Sequence, residues 1–408
     1  MTRHLKEYDS LRGLAAVIII ITHFLGSISR IYDLPAGVPE TWWIWLLRHT
    51  PLGIITAGNE GVPFFFILSG FVLSLSFLDP SRPNPYLPYL VKRLFRLYPV
   101  FLATISAMAL IKLCFAPRSE ILGFTPFFNH LWTATFNGKI FEQHLPLITN
   151  FKHARLNPPI WTLIIEMRMS MLFPLLVWLF LKFRNRALLI SLAISLWCGF
   201  EAAQLHEIKS HNVWAIAITE TLQWAGCFMA GIWLAHSRGG WLPAVSAMNR
   251  TTKHALLCVG IVLYTSDLWF MQNRLAGASA SWLYHSWFFN YTISAGACIF
   301  MVLALASGSA SRLLTHPVVH FLGKISYSLY LWHMVLICAL AAALHAWLPA
   351  WAIACLSFGA TVAVSALSYH LLEIPFIRWG RTVADALSKL LGIPPRLPKT
   401  QMPANTLP

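Results

Sequence analysis

Residues 13–30 read GLAAVIIIITHFLGSISR, an apolar run in which the first charged side chain is Arg30. A hydrocarbon core about 30 Å thick is crossed by about 20 apolar residues in a helix, so this run predicts a membrane-spanning helix. Similar runs recur along the chain, and they are continuously apolar rather than alternating, which favours helices over the strands of a barrel. The sequence therefore predicts an all-α polytopic membrane protein with about ten transmembrane helices. The predicted spans are 13–30, 61–78, 97–116, 160–181, 187–204, 213–235, 254–271, 286–306, 325–343 and 351–372.

The composition agrees with this class of protein. Of the 408 residues, 57% are apolar and 11% are charged, whereas a soluble domain carries about 25% charged residues. The net charge of +15 would suggest a nucleic-acid partner in a soluble protein. An even number of spans puts both termini on one side, and with that side cytoplasmic, 20 of the 30 Lys and Arg residues lie inside and 8 outside. This bias predicts an N-in and C-in orientation and explains the charge without nucleic acid.

The spans also organise the rest of the chain. We expect one integral-membrane domain over residues 1–380 and a cytoplasmic tail over 381–408 that is disordered towards its end, after Pro394. All seven cysteines fall inside predicted spans, which argues against disulfides and against a metal site. The two long outside segments, 31–60 and 117–159, are rich in aromatic residues. They are predicted to lie in the membrane interface, or to cover part of an outward-facing cleft.

Ionisable residues inside predicted spans are costly, and each is therefore a candidate functional residue. Arg12 and His23 are eleven residues apart, which on a helix is about 16 Å and three turns plus roughly 20°, so they share one face. Arg12 lies at the cytoplasmic boundary and His23 near the middle of the membrane. A neutral imidazole can serve as a base there, or it can simply bond a backbone carbonyl across the bundle.

Arginines also mark the cytoplasmic end of the third span. Arg93 and Arg96 are one turn apart and can converge on one anionic group such as a phosphate, although orientation signals at helix ends have the same pattern. Glu166 lies roughly 9 Å into the fourth span from outside. It could orient a histidine, contact a hydroxylated acceptor or tie helices together.

Two further polar features lie on predicted spans. Tyr327, Tyr330 and His333 recur every three residues, which predicts a polar stripe that lines a cavity or packs against another helix. The pair Ser69-Gly70 forms a small-residue notch in the second span, where close helix packing is the expected role.

Together these segments resemble the acyltransferase 3 family of multi-pass membrane O-acyltransferases. The resemblance is carried by six motifs that occur in order over nearly the whole chain. They are Arg12 with His23, the Phe-Phe-x-Leu-Ser-Gly-Phe signature at 65–71, Arg93 and Arg96 followed by Tyr98-Pro99, Trp-Thr-Leu-x-x-Glu at 161–166, Gly-x-x-Ser-Tyr-x-x-Tyr-Leu-x-His at 323–333, and Glu373 with Pro375. The Phe-Tyr usual after the fourth-span glutamate is replaced here by residues 169–171, Met-Ser-Met.

The resemblance implies a single acyltransferase domain in the inner or plasma membrane. It implies transfer of an acyl group, commonly acetyl, from cytoplasmic acyl-CoA to a hydroxyl of a carbohydrate or lipid-linked glycan of the cell envelope. Acyl-CoA would be a co-substrate, with no tightly bound cofactor and no metal. The implied catalytic residues are His23, Arg12 and Glu166, and the implied donor-binding residues are Arg93, Arg96, Ser69, His333 and Tyr330.

The implied roles leave alternatives open. His23 would take the proton of the acceptor hydroxyl, or form an acyl-histidine intermediate. Arg12 would orient His23 or bind phosphate, and Glu166 would contact the acceptor. The alternative function is a proton-coupled transporter or exporter of a small polar or lipid-linked molecule, in which the buried ionisable residues form a proton relay. A purely structural scaffold fits poorly with so many ionisable groups inside spans.

Overall fold

A computed structural model of the chain describes residues 5–28, 39–79, 84–116, 119–149, 155–208, 212–270 and 281–393, without the side chains of 206–207, 269–270 and 281–289. These residues form α-helices joined by short turns, with no strand among them. The first ten helices are α1 (Lys6–Ile28), α2 (Trp42–His49), α3 (Gly61–Phe77), α4 (Tyr86–Phe115), α5 (Pro126–Thr133), α6 (Gly138–His144), α7 (Ile160–Phe183), α8 (Asn185–Glu207), α9 (Val213–Leu222) and α10 (Ala225–His236). The remaining helices are α11 (Arg238–Ala247), α12 (Arg250–Tyr264), α13 (Ser266–Phe270), α14 (Ser281–Ala306), α15 (Gly308–Leu314), α16 (Pro317–Lys324), α17 (Ser326–Leu344), α18 (Ala350–Ser368) and α19 (Ile374–Leu390).

Each predicted span overlaps a helix or two consecutive helices, although α4 begins at Tyr86, well before the predicted start at residue 97. Among the described residues, seven helical segments are long and apolar enough to cross a membrane, or up to eight if α15 and the part of α14 from Asn290 onwards, which meet at 94°, form one span. The helix α3 is apolar but shorter, at 17 residues. Large apolar side chains such as Trp178, Leu189 and Trp197 are exposed on the outer faces of α7 and α8, as expected for surfaces in contact with lipid. The protein is thus an all-α polytopic membrane protein, while ten crossings and the N-in, C-in orientation stay predictions.

Glycines allow the closest contact in the bundle, between α3 and α10. A Cβ atom on Gly70 would lie 2.3 Å from the carbonyl oxygen of Phe228, and one on Gly231 would lie 2.1 Å from that of Ile67. Only glycine fits where two backbones approach this closely. The packing role predicted for the Ser69-Gly70 notch is therefore confirmed for Gly70.

A second glycine contact positions α1. A Cβ atom on Gly13 would lie 2.4 Å from the backbone nitrogen of Gly323, and one on Gly323 would lie 2.4 Å from the carbonyl oxygen of Asp9. The start of α1 is thus held against the end of α16, immediately before α17 begins. Because α1 and α17 both continue from this contact, His23 and His333 reach the same depth in the bundle.

The two aromatic segments behave differently. Trp42 and Trp45 of α2 are 76% and 51% exposed, as expected for a helix in the membrane interface. In α5, by contrast, Phe128 and Trp132 are buried in the protein. Thr125 holds α5 on the end of α1, because its hydroxyl donates to the carbonyl of Gly26 at 2.6 Å. Part of the segment 117–159 therefore covers the bundle rather than anchoring it.

The C-terminal region continues the bundle beyond the last predicted span. After α18 the chain passes through a π-helical turn at Tyr369–Glu373 and enters α19, which runs to Leu390 and crosses the predicted boundary at residue 380. Gly380 and Ala384 of α19 are buried. A Cβ atom on Gly380 would lie 2.5 Å from that of Phe95, so α19 is packed closely along α4. The predicted disorder after Pro394 lies outside the described residues.

Candidate active site

A cavity of about 450 Å³ lies between α1, α3, α4, α7, α17 and α19. Exposed side chains at its open end include those of Ser76 and Arg381, and buried side chains at its closed end include those of Thr162 and Tyr330. Its charged lining residues are Asp9, Arg12, Lys92, Arg93, Arg96, Glu166 and Arg381. Of the eight predicted site residues, six line this one cavity: Arg12, Ser69, Arg93, Arg96, Glu166 and Tyr330.

Arg93 and Glu166 form an ion pair in the cavity wall. Nη2 of Arg93 donates to Oε1 of Glu166 at 2.5 Å, and Nε of Arg93 donates to Oγ of Ser170 at 3.1 Å. The Ser170 hydroxyl in turn donates to the carbonyl of Glu166 at 2.6 Å. A charge-assisted bond in a partly buried site fixes both side chains and joins α4 to α7. Among the roles predicted for Glu166, the structure therefore shows the helix tie, and its contact with an acceptor stays a prediction.

Two further arginines of the cavity have no bonded partner. Neither Arg12 nor Arg96 makes a hydrogen bond or an ion pair with any residue in the described ranges, although the charge of Arg12 is repelled by Arg96 and Arg93 and attracted by Asp9 and Glu166. Such a group of guanidinium ions suits an anionic ligand. The two side chains at positions 12 and 23 stand about 16 Å apart along α1, so Arg12 does not orient His23 by direct contact.

Tyr330 separates the cavity from the predicted catalytic histidine. Its hydroxyl lies 2.9 Å from Oγ1 of Thr162 and donates to the carbonyl of Pro159 at 3.2 Å. The Phe65 ring packs edge-on against Tyr330 at a centroid distance of 5.9 Å. On the other side, the rings of Tyr330 and His333 are 6.1 Å apart. The closed end of the cavity is thus one aromatic ring away from His333.

His23 and His333 form a pair beyond this ring. Nδ1 of His23 lies 2.8 Å from Nε2 of His333, and the two rings are nearly parallel, with an interplanar angle of 7°. His333 is fully buried, and the ring of Phe127 of α5 stacks on that of His23 at a centroid distance of 5.8 Å. The family resemblance implied that His333 binds the donor, whereas in the structure its ring contacts His23. The partner of His23 is accordingly a second imidazole rather than a backbone carbonyl.

Several residues of the site were not singled out from the sequence. Ser170 occupies the stretch that departs from the family pattern, and Lys92 is adjacent to the predicted arginines. Arg381 lay in the predicted tail, although the small residues Gly380 and Ala384, one turn apart, indicated a packed helix face. Within the described part of the chain, no three His, Cys, Asp or Glu residues form a group that could hold a metal ion. The absence of a metal stays a prediction.

The fold and the site define a polytopic helical membrane protein with a basic cavity whose closed end lies near a hydrogen-bonded pair of histidines. This arrangement suits transfer of a group from an anionic donor to a second substrate. The model of the acyltransferase domain family, Acyl_transf_3, matches residues 5–370. The chain therefore belongs to the acyltransferase 3 family, as its motifs predicted.

The chain is also similar in sequence to individual curated proteins. It is 25% identical to the O-acetyltransferase OatA of Staphylococcus aureus (strain NCTC 8325 / PS 47) over 351 residues, which cover 82% of this chain and 51% of OatA. It is 23% identical to Nodulation protein 10 of Rhizobium leguminosarum bv. viciae over 386 residues, which cover 92% of this chain and 94% of that protein. The chain thus spans about half the length of OatA. Comparison with solved structures gives no match.

Proposed function

We propose that this protein is an O-acyltransferase of the inner or plasma membrane. It moves an acyl group, which we propose is acetyl, from cytoplasmic acyl-CoA to a hydroxyl of a carbohydrate or lipid-linked glycan acceptor. Family membership and the O-acetyltransferase name of OatA support the reaction class. The observation that carries the proposal is the position of the basic cavity, whose closed end at Tyr330 lies one aromatic ring away from the pair of His23 and His333.

The cavity suits the two ends of acyl-CoA, which is anionic at its nucleotide end and uncharged at its thioester. Arg12 and Arg96, which form no hydrogen bond or ion pair with a carboxylate among the described residues, would bind phosphate groups. Arg93 is already paired with Glu166, so it holds the wall in place and contributes less charge to a ligand. The uncharged thioester would then extend to the closed end, between Ser69 and Tyr330. Under the predicted orientation, the open end faces the cytoplasm, where acyl-CoA is found.

The surroundings of the two histidines favour the tautomer in which each neutral ring carries its proton on Nδ1. Nδ1 of His333 is buried beside the backbone of Leu329 and Tyr330, where a proton on Nδ1 avoids repulsion between a lone pair and carbonyl oxygens. Nε2 of His333 then accepts a hydrogen bond from Nδ1–H of His23. The remaining nitrogen of His23, Nε2, carries a lone pair and makes no hydrogen bond with any described residue. His23 is thereby prepared to act as a base through Nε2.

The proposed reaction is direct transfer. Nε2 of His23 takes the proton of the acceptor hydroxyl while the hydroxyl oxygen attacks the thioester carbonyl, and the C–S bond breaks. The proton then passes from His23 to the departing thiolate, which leaves as CoA. In the rival route, Nε2 attacks the thioester carbonyl, the C–S bond breaks and CoA leaves as the thiolate. The acceptor hydroxyl then attacks the acyl-histidine, His23 is released, and the hydroxyl proton neutralises the thiolate. The acceptor would approach His23 from the side of α5, where Phe127 covers the ring.

Purified protein in detergent, supplied with [¹⁴C]acetyl-CoA and short glycan acceptors, tests the proposal. We expect release of CoA and labelling of acceptor, and His23→Ala should lower kcat by about 10²- to 10⁴-fold. His345→Ala is the matched control. His345 is the residue directly after α17, and its ring bonds only the backbone carbonyl of Ala341. A folded, inserted His23→Ala protein with full activity would overturn the role of His23. Acid quenching followed by mass spectrometry of the peptide around residue 23 separates the two routes.

The alternative of proton-coupled transport is less well supported, because the chain belongs to an acyltransferase family. Proteoliposomes separate the two functions. A protein that moves a solute in response to a proton gradient, and that neither binds nor cleaves acetyl-CoA, would refute acyl transfer.

A further inference from the structure

The helix α19 forms part of the cavity although it lies beyond residue 370, where the match to the family model ends. Gly380 and Ala384 pack its buried face on α4, and the Phe376 ring lies 6.5 Å from that of Phe95. Ile377 and Arg381, from the adjoining face, line the cavity. The position of Arg381 is therefore set by packing of a well-formed helix rather than by a loose tail.

The helix α4 and the helical segment that ends with α19 are both longer than the membrane core is thick. The 30 residues of α4 span about 45 Å, whereas the hydrocarbon core is about 30 Å thick. The helical segment that ends with α19 is longer still, at 41 residues. Both helices can thus continue into the aqueous side, where the open end of the cavity carries Arg381 beside Ser76 and Asn84.

No described residue neutralises the charge of Arg381 through a hydrogen bond or an ion pair. The residue is exposed and makes no hydrogen bond or ion pair with any described residue, including Asp385 one turn further along α19. The cavity holds two carboxylates, Asp9 and Glu166, and Glu166 is paired with Arg93. Together with Arg12, Arg96 and Lys92, Arg381 completes a set of cations from three helices around one opening.

We infer that Arg381 is a binding residue for the phosphorylated nucleotide end of acyl-CoA, supplied by the C-terminal helix α19. This inference rests on the proposed function. A guanidinium ion binds phosphate through two parallel hydrogen bonds, and an exposed arginine at the open end can reach a phosphate that deeper residues cannot. The C-terminal helix is then part of the donor site, and acyl transfer needs the chain beyond residue 380.

The test compares Arg381→Gln with Arg378→Gln in the full-length protein. Arg378 is exposed on the same helix, three residues earlier, and does not line the cavity. We expect Arg381→Gln to raise KM for acetyl-CoA, and Kd for CoA by calorimetry, about tenfold with kcat unchanged, because one charge-assisted contact is lost. Arg378→Gln should leave all three values as in the wild type. Equal KM and Kd values in the two variants would overturn the assignment.

The second part of the experiment uses a thioester substrate that lacks phosphate groups. With acetyl-pantetheine, which lacks the nucleotide, Arg381→Gln and the wild type should have the same kcat/KM. A loss with acetyl-pantetheine as large as that with acetyl-CoA would show that Arg381 does not act through phosphate, and would overturn the inference. Failure of the proposed function gives a different result, since the wild type itself would then neither bind CoA nor cleave acetyl-CoA.

Discussion

Replacing His333 tests whether it acts on His23 or binds the donor. The side chain is fully buried and its Nε2 lies 2.8 Å from Nδ1 of His23, so His333→Ala removes one buried hydrogen bond from the proposed base. A hydrogen bond of this kind contributes about 1–2 kcal/mol, and the ring of His23 would also lose its fixed orientation. We therefore expect kcat to fall by about 5- to 30-fold. KM for acetyl-CoA should stay unchanged, because His333 does not line the cavity.

Steady-state release of CoA by purified variants measures both constants. His333→Gln should recover part of the loss, because its amide oxygen can accept from Nδ1–H of His23. The double variant His23→Ala/His333→Ala should be no slower than His23→Ala alone, since His333 acts only through His23. His345→Ala, which removes a histidine bonded to its own helix, is the control.

Two results would refute this reasoning. A kcat of His333→Ala within twofold of the wild type would show that the pair of histidines has no role in the chemical step. A raised KM with unchanged kcat would instead return His333 to the donor-binding role that the family resemblance implied. Circular dichroism and size-exclusion profiles of the variant establish that it is folded in either case.

Three further substitutions, with Gly359→Ala as a control, test the fold. Lys112→Met should lower the free energy of unfolding by about 2–4 kcal/mol in a detergent melt, because the buried ammonium of Lys112 donates to three carbonyls at the end of α5. Gly231→Ala should destabilise by about 1–3 kcal/mol or prevent insertion, since its Cβ would lie 2.1 Å from the carbonyl oxygen of Ile67. Gly359→Ala, with no atom within 4 Å, should leave Tm unchanged or higher. Burial and the neighbouring carboxyl of Asp267 raise the pKa of Glu60. Because the folded state holds the protonated form more tightly than the unfolded state does, it loses stability as pH rises through that pKa. Glu60→Gln should therefore raise Tm at about pH 8, with a gain that shrinks towards about pH 5; a gain that is constant with pH would contradict it.

Much of the fold follows from local sequence alone. Each predicted span overlaps one or two helices, because a run of about 20 apolar residues in lipid must satisfy its backbone hydrogen bonds internally. The notch at Gly70 was also predictable, since a small residue in such a helix permits close packing. Breaks within spans were not predictable, as at Trp224 between α9 and α10. They leave the apolar pattern unchanged.

The site was predicted residue by residue but not as a set of contacts. Spacing along α1 placed Arg12 and His23 on one face, and the motifs singled out Arg93, Glu166 and His333. No periodicity could show that Arg93 binds Glu166 or that His333 binds His23, because each pair joins residues far apart in the chain.

The sequence by itself determined that this is a helical membrane protein of the acyltransferase 3 family, since apolar length and motif order are properties of the chain. The tertiary structure decided which ionisable groups are paired and which are left for a ligand. It placed His23 in hydrogen-bonding contact with His333, paired Glu166 with Arg93, and placed Arg381 in the lining of the basic cavity. Helix packing through glycine contacts such as that between Gly13 and Gly323 sets these relations, and packing depends on the shapes of distant surfaces that no local pattern encodes.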